Sequence, residues 1–216
     1  MIITVVGAGN MGSALARRFA VAGEQVLLVD EDVAKASSVA AQINAEAGGA
    51  VVVATVADGI RRGDVVAFAT WYPVTRQLAE QHAAQLVGKV VIDISNPFND
   101  TFDGLTTEPG TSAAEQIAAV APGARLVKAF NTTFAPVLQE GGVAGQVADV
   151  LVAGDDDEAK ASVFALAERA GLHGVDAGAL SNARTLERMT LLLVELQGRY
   201  GLGFNAAFRF VPGTAA

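Results

Sequence analysis

The chain has 216 residues, of which 51% are apolar, enough for one large domain with a sizeable core. Its formal net charge is −8, and no cluster of lysine and arginine offers the basic face of a nucleic-acid binder, so we expect no nucleic-acid partner. The sequence contains no cysteine, which excludes disulfides and cysteine nucleophiles. Its two histidines lie far apart in sequence, and we expect no metal site.

The sequence offers no membrane segment, because no apolar run approaches the roughly 20 residues that span a bilayer. The first predicted strand begins at Ile2, and we expect no targeting peptide. We therefore expect a cytoplasmic protein.

The first thirty residues are the most informative stretch. Ile2–Val6 is rich in β-branched residues and predicts a buried strand. Residues 7–12 follow at once and read GAGNMG, and residues 13–20 have helical apolar spacing. A second strand over residues 25–30 ends in a carboxylate. The order strand, G-x-G-x-x-G, helix, strand and acid is the dinucleotide-binding fingerprint.

Each feature of that fingerprint has a physical reason. Gly7 permits the tight turn, Gly9 lets the pyrophosphate approach the backbone, and Gly12 lets the helix pack close to the strand. The N–H groups at the start of the helix then face the phosphates. Asp30 stands where a carboxylate accepts hydrogen bonds from both ribose hydroxyls.

In the rest of the chain, predicted strands alternate with predicted helices. This order predicts an α/β fold with a doubly wound, mostly parallel Rossmann sheet. We expect residues 1–180 to form the dinucleotide-binding domain and residues 181–216 a short helical appendage. Gly48 and Gly49 are expected to end the second helix, and Asp155 to cap a later one. The further predicted strands cover residues 50–54, 64–70, 89–94, 125–130, 148–153 and 172–176. The further predicted helices cover residues 31–47, 56–62, 74–86, a segment from Ser112, 158–170 and 181–200.

The last predicted helix, capped by Ser181, is apolar on more than one face and so needs two partners. One partner is its own domain, and we expect the other to be a second subunit in a homodimer. The stripe expected to face the domain is Leu186, Met189, Leu193, Leu196 and Tyr200. The residues off that stripe are Leu191, Leu192 and Val194.

Aromatic and carboxamide residues follow the predicted strands at the edge where a doubly wound sheet binds its ligand. They suit two flat heterocycles held face to face, as hydride transfer requires. We expect Asn96 and Asn131 to position the rings, with no acid–base or covalent residue. The full set expected to bind cofactor is Gly7, Ala8, Gly9, Asn10, Met11, Gly12, Asp30, Glu31, Lys35, Thr70, Trp71, Tyr72, Ser95, Asn96, Pro97, Asn131 and Thr132.

Five segments give the chain a resemblance to a known family. They are GAGNMG at residues 7–12, SAAE at 112–115, KAFNT at 128–132, GDDDE at 154–158 and DAGALSNAR at 176–184. Over nearly its whole length the chain resembles the coenzyme F420-dependent NADP oxidoreductases. The resemblance implies hydride exchange between NADP and the deazaflavin coenzyme F420, in a homodimer.

Asp30 and its neighbour Glu31 lead us to expect NAD rather than NADP, because their charges repel a 2′-phosphate. Lys35 is the nearby cation that could soften this repulsion.

Two other functions use the same fingerprint. Imine and hydroxyacid reductases also begin with G-x-G-N-M-G, but they need a long C-terminal helical domain. A dinucleotide-sensing module without catalysis would use the same fold and dimer.

Overall fold

The computed structural model describes residues 1–48 and 50–213. Over most of these residues strands alternate with helices, as predicted. The strands are β1 (Ile2–Val6), β2 (Gln25–Val29), β3 (Val51–Val53), β4 (Val65–Phe68), β5 (Val90–Asp93), β6 (Arg125–Lys128), β7 (Gly142–Val143), β8 (Gln146–Val147), β9 (Asp149–Gly154) and β10 (His173–Asp176). The α-helices are α1 (Asn10–Val21), α2 (Val33–Ala47), α3 (Val56–Arg62), α4 (Tyr72–Gln81), α5 (Ala83–Leu86), α6 (Ala113–Val120), α7 (Ala135–Glu140), α8 (Asp157–Arg169) and α9 (Ala183–Tyr200).

Eight strands form one sheet in the order β10-β9-β6-β5-β4-β1-β2-β3. Neighbouring strands are parallel, except that β9 runs antiparallel to β6. The predicted fold class, a doubly wound and mostly parallel sheet with a C-terminal helix, is therefore confirmed. Strands β7 and β8 form a separate hairpin, which the sequence analysis did not predict.

Helices cover both faces of the sheet, and its strand residues divide between two apolar clusters. Ile3 of β1 packs with Phe19 of α1 in one cluster. Phe68 of β4 packs with Ile117 of α6 in the other. Because both faces are buried, the central strands read as continuous apolar runs rather than as alternating patterns.

The cap of α8 corrects one expectation. Asp156, not Asp155, is the N-cap, and its carboxylate accepts a hydrogen bond from the Ala159 N–H at 2.9 Å. Asp155 instead accepts a hydrogen bond from the Leu180 N–H at 2.9 Å. The expected cap is thus wrong by one residue, and Asp155 joins the start of α8 to the segment before α9.

Other helix ends also differ from expectation. Ser181 lies within a 3-10 turn, and α9 begins at Ala183. The predicted helix over residues 74–86 divides at His82 into α4 and α5. Gly48 ends α2 with a left-handed φ of 76°. Gly49 and residues 214–216 lie outside the described residues.

The inward face of α9 is more polar than predicted. Leu186 and Leu193 are 3% exposed, as a core stripe requires, but Tyr200 at the end of that predicted stripe is 67% exposed. The residues buried beside the two leucines include Glu187 and Thr190. The helix therefore meets the sheet domain through polar groups as well as apolar ones.

The C-terminal segment is tied to the sheet domain at both ends. The Glu187 carboxylate accepts a hydrogen bond from the Ala113 N–H at 3.1 Å. Further along, the Phe210 N–H donates to the Asp149 carboxylate at 2.5 Å. A domain boundary at residue 180 stays a prediction. No α-helix in the described part of the chain combines the length and apolar character that crossing a bilayer requires.

Candidate active site

The carboxyl ends of the parallel strands meet at one edge of the sheet. Strands β1 and β4 are neighbours there, while the chain continues from them towards opposite sides of the sheet. The loops that follow these two strands touch, because a Cβ built on Gly7 would lie 2.5 Å from the Ala69 carbonyl oxygen. Gly7 also has a left-handed φ of 109°. This reversal of strand order is where doubly wound sheets bind ligands.

The other two fingerprint glycines have different roles. A Cβ on Gly12 would lie 1.8 Å from the Gly7 carbonyl oxygen, so α1 can approach β1 only without a side chain there. A Cβ on Gly9 would meet no atom of the described chain within 4 Å. Gly9 also precedes α1, whose first N–H groups have no partner within the helix. Open space beside free amide donors fits a pyrophosphate.

The remaining residues of the fingerprint loop differ in exposure. Ala8 is buried, Asn10 is exposed, and Met11 is partly buried against the core. The Asn10 side chain is thus the one of the three that solvent reaches most freely.

Asp30 uses both carboxylate oxygens within the protein. One accepts hydrogen bonds from the Ala8 N–H at 2.7 Å and from Lys35 Nζ at 3.1 Å, and the other accepts from the Asp32 N–H at 3.0 Å. Burial alone would raise the pKa of Asp30, but these donors outweigh it and lower the pKa below its usual value. Asp30 therefore fastens the glycine loop, whereas Glu31 is exposed.

The residues after β4 point in different directions. The hydroxyls of Thr70 and Thr75 lie 2.8 Å apart. The Tyr72 hydroxyl donates a hydrogen bond to the Gln116 side chain on α6. Trp71 is 65% exposed. Among the expected site residues of this segment, Trp71 alone therefore presents a large free surface.

An aromatic cluster that the sequence analysis did not identify extends this surface. The Phe102 ring lies edge-on to Trp71 at 6.2 Å between centroids and 5.6 Å from Phe98. Phe102 has a φ of 56°, a strained conformation for a bulky residue. The Asn99 side chain braces this loop by accepting a hydrogen bond from the Asp103 N–H at 3.1 Å. The loop therefore holds an exposed ring beside the strand ends.

The expected ring-positioning residues lie in contact. Asn131 Nδ2 donates to Asn96 Oδ1 at 3.0 Å, and Asn96 Nδ2 donates to the Asn131 carbonyl oxygen at 3.2 Å. Pro97 and Thr132 beside them are buried. Ser95 Oγ and Asn131 Oδ1 are buried without a hydrogen-bond partner in the described part of the chain. Two orphaned polar atoms at the strand ends fit a polar ligand group.

A buried ion cluster beneath these residues was missed by the sequence analysis. Lys128 is fully buried, and its Nζ lies 2.7 Å from Asp93 and 2.9 Å from Glu187. Burial alone would lower the pKa of Lys128, but the two carboxylates raise it, so the ammonium group stays charged. The signal in the sequence was a charged residue inside each of two apolar strands.

Two cavities lie away from the strand-end edge. One of about 420 Å³ is formed by the β7–β8 hairpin. The other, of about 530 Å³, lies between β10, α9 and the C-terminal tail. Its lining includes Val175, Leu186, Met189 and Phe210. The residues of the glycine loop belong to neither cavity. Within residues 1–48 and 50–213, no three His, Cys, Asp or Glu side chains group as metal ligands would.

We expect Gly9→Val and Gly12→Val to separate binding from folding. The valine at position 9 enters open space, so the melting temperature should hold while dinucleotide affinity falls about tenfold or more. The valine at position 12 meets backbone, and the free energy of unfolding should fall by about 3 kcal/mol or more. Calorimetric titration and denaturant unfolding measure the two effects. Unchanged affinity in Gly9→Val would mean that the loop is only a turn.

We expect Asp30→Asn to lower the free energy of unfolding by about 2 kcal/mol at neutral pH, because an amide cannot accept all three hydrogen bonds. The carboxylate has a lowered pKa, so its stabilisation is present above the usual value of 3.8 and is lost as the pH falls below it. Urea unfolding from pH 7 to pH 3 should show the two proteins converging. Glu80→Gln, at an exposed position on α4, is the control. A constant difference across this range would contradict the assignment.

Three findings relate the chain to known proteins. The family described as NADP oxidoreductase, coenzyme F420-dependent, matches residues 2–97. The F420-dependent NADP reductase of Methanothermobacter thermautotrophicus is 35% identical over 211 residues, which cover 92% of this chain and 89% of that protein. Among solved structures, a provisionally assigned F420-dependent NADP reductase from Arthrobacter sp. FB24 has a TM-score of 0.84 at 28% identity, covering 97% of this chain and 99% of that one.

More distant structures share the fold alone. An imine reductase from Myxococcus stipitatus has a TM-score of 0.68 at 20% identity, covering 93% of this chain but 63% of that one. The similarity that covers about 90% of both chains is instead to F420-dependent NADP reductases. The chain belongs to the family of F420-dependent NADP reductases.

Proposed function

We propose that the protein transfers a hydride between NADP and coenzyme F420. The observation that carries this proposal is the contact of the loops after β1 and β4, which sets open space and free amide donors over Gly9. This open space fits a dinucleotide pyrophosphate. NADP and F420 are the substrates that the family's name gives. The bound nicotinamide and deazaflavin supply the hydride chemistry.

The protein's part in this reaction is to bind, orient and exclude water. The N–H groups at the start of α1 hold the phosphates, with Gly9 as the point of closest approach. Asn96 and Asn131 border the nicotinamide, where Asn131 Oδ1 and Ser95 Oγ are free to bond its carboxamide. Neither an acid–base residue nor a nucleophile is needed.

We take NADP rather than NAD as the dinucleotide. The expectation of NAD depended on a free carboxylate at Asp30. That carboxylate accepts hydrogen bonds from Ala8, Asp32 and Lys35, and its side chain is 10% exposed. Its charge is therefore partly neutralised before any ligand arrives. Lys35, with a side chain that is 45% exposed, is the cation best placed for a 2′-phosphate.

The aromatic cluster of Trp71, Phe98 and Phe102 forms the wall for the second ring. Its rings stand at the carboxyl ends of β4 and β5, beside the crevice for the nicotinamide. Exposed aromatic faces bind flat heterocycles by stacking. The braced loop around Asn99 keeps these rings in place before the substrate binds.

We expect the purified protein to reduce F420 with NADPH, measured as loss of the visible absorbance of oxidised F420. NADPH should bind more tightly than NADH at physiological salt. Trp71→Ala and Phe102→Ala should each raise the KM for F420 by about tenfold, since an aromatic pair contributes about 0.5–1.5 kcal/mol. Their affinity for NADPH should change little.

Val87→Ala is the matched control, because Val87 is 65% exposed and lies at the opposite end of β5. NADPH binding without reduction of F420 or of a flavin would contradict the proposal and favour the sensing module. Turnover of an imine or a hydroxyacid would favour the other reductase class.

We also propose a homodimer whose interface is formed by α9 and the β10 edge of the sheet. Leu192 is 48% exposed on α9, with Leu191 and Val194 partly buried beside it. An exposed apolar patch of this kind usually marks an interface. The cavity of about 530 Å³ adjoins the same region.

The expected cytoplasmic location stays a prediction.

We expect light scattering to give the mass of a dimer at micromolar concentration. Leu192→Glu should shift it to a monomer, because a carboxylate is costly to bury in an apolar contact. Val87→Glu, which places the same charge at another exposed apolar position, should leave the dimer intact. If light scattering gives the mass of a monomer for the unmodified protein, the proposed dimer is wrong.

A further inference from the structure

The buried ion cluster holds both peptide groups of Ser95. The Ser95 N–H donates to Asp93 Oδ1 at 2.9 Å, and the Ser95 carbonyl oxygen accepts from Lys128 Nζ. Ser95 begins the loop that carries Asn96. The charges beneath the strand ends therefore fix the direction in which this loop leaves β5.

Helix α9 completes that cluster. Glu187 Oε1 lies 2.9 Å from Lys128 Nζ, and the same carboxylate accepts hydrogen bonds from the Ala113 and Ala114 N–H groups at the start of α6. Lys128 is thereby held between Asp93 on β5 and Glu187 on α9. A movement of α9 would therefore take away one of the two carboxylates that hold the ammonium group.

A second link joins α9 to the loop after β6. The Thr190 hydroxyl donates to the Leu186 carbonyl at 2.9 Å or to the Asn131 carbonyl at 3.2 Å, and it accepts from Asn131 Nδ2 at 3.2 Å. Glu187 and Thr190 are three residues apart and share one face of the helix. One face of α9 thus contacts both Lys128, which holds the loop that carries Asn96, and Asn131 itself.

We propose that Glu187 and Thr190 are positioning residues for hydride transfer, which hold Asn96 and Asn131 in register with the nicotinamide and the deazaflavin. This inference rests on the proposed function and deepens it. The C-terminal helix is then part of the catalytic apparatus as well as a surface for a second subunit.

Stability alone does not account for the arrangement. Replacing a buried ion pair by apolar residues of similar volume is often neutral or stabilising. This cluster has two carboxylates for one ammonium group, and two of its hydrogen bonds end on the peptide groups of Ser95 in the site loop. A purely structural contact between α9 and the sheet would be made by apolar side chains, as it is at Leu186 and Leu193.

Thr190→Val tests the proposal with little change of shape. We expect kcat for F420 reduction to fall about tenfold to a hundredfold, because small misplacements of reacting groups cost that much. The dissociation constant for NADPH should stay within about twofold, since the pyrophosphate binds at Gly9. Thr190→Ser restores the hydroxyl and should restore most of kcat. Thr185→Val makes the same substitution at an exposed position of α9 and should leave kcat unchanged.

Amide hydrogen exchange gives a readout that is independent of turnover. We expect faster exchange over residues 93–97 and 129–133 in Thr190→Val than in Thr185→Val. If the unmodified protein does not reduce F420, the proposed function fails, and the exchange data alone decide whether α9 holds the two loops. If Thr190→Val does not fold, Glu187→Gln tests the other contact with the same measurements. Normal kcat in a folded, active variant, or unchanged exchange in both loops, would overturn the inference.

Discussion

The close contact between Gly12 and the Gly7 carbonyl is the constraint on which the site depends. Any side chain at residue 12 would push α1 away from β1, because its Cβ would lie 1.8 Å from that oxygen. With α1 held so close, its first amide groups lie beside the open space over Gly9. Asp30 then fixes the loop from the neighbouring strand by accepting the Ala8 N–H. The proposed phosphate site is thus built mainly from backbone, and the side chains proposed to contact the two rings lie further along the strand ends.

Those further groups come from chain segments that meet only in the fold. The loops after β4 and β5 bring the exposed rings of Trp71 and Phe102, and the loops after β5 and β6 bring Asn96 and Asn131. Apolar rings stand on one side and amides on the other. This division matches a reaction between two flat heterocycles, in which one face needs stacking and the carboxamide needs hydrogen bonds.

The sequence predicted contacts that follow from one motif or from the order of the strands, and missed partners that neither of these indicates. The glycine loop could be found because its residues act within one turn, and the meeting of Asn96 with Asn131 followed from parallel strands ending at one edge. The partners of Lys128 could not be found, because Asp93 and Glu187 reach it from other elements. The partners of Asp30 could not be predicted for a related reason: its shortest hydrogen bond comes from a backbone N–H, which leaves no mark in a residue pattern.

The ion cluster also joins parts of the chain that lie far apart in sequence. Lys128 and Asp93 are separated by 35 residues. Glu187 accepts a hydrogen bond from the Ala113 N–H, which lies 74 residues earlier in the chain. Closing such long loops is slow relative to forming local contacts. Without α9 in place, Lys128 has one carboxylate partner instead of two, and the Ala113 and Ala114 N–H groups lack the carboxylate that accepts their hydrogen bonds. Because Glu187 lies on the last helix, the cluster that holds the loop after β5 is complete only once nearly the whole chain has been synthesised.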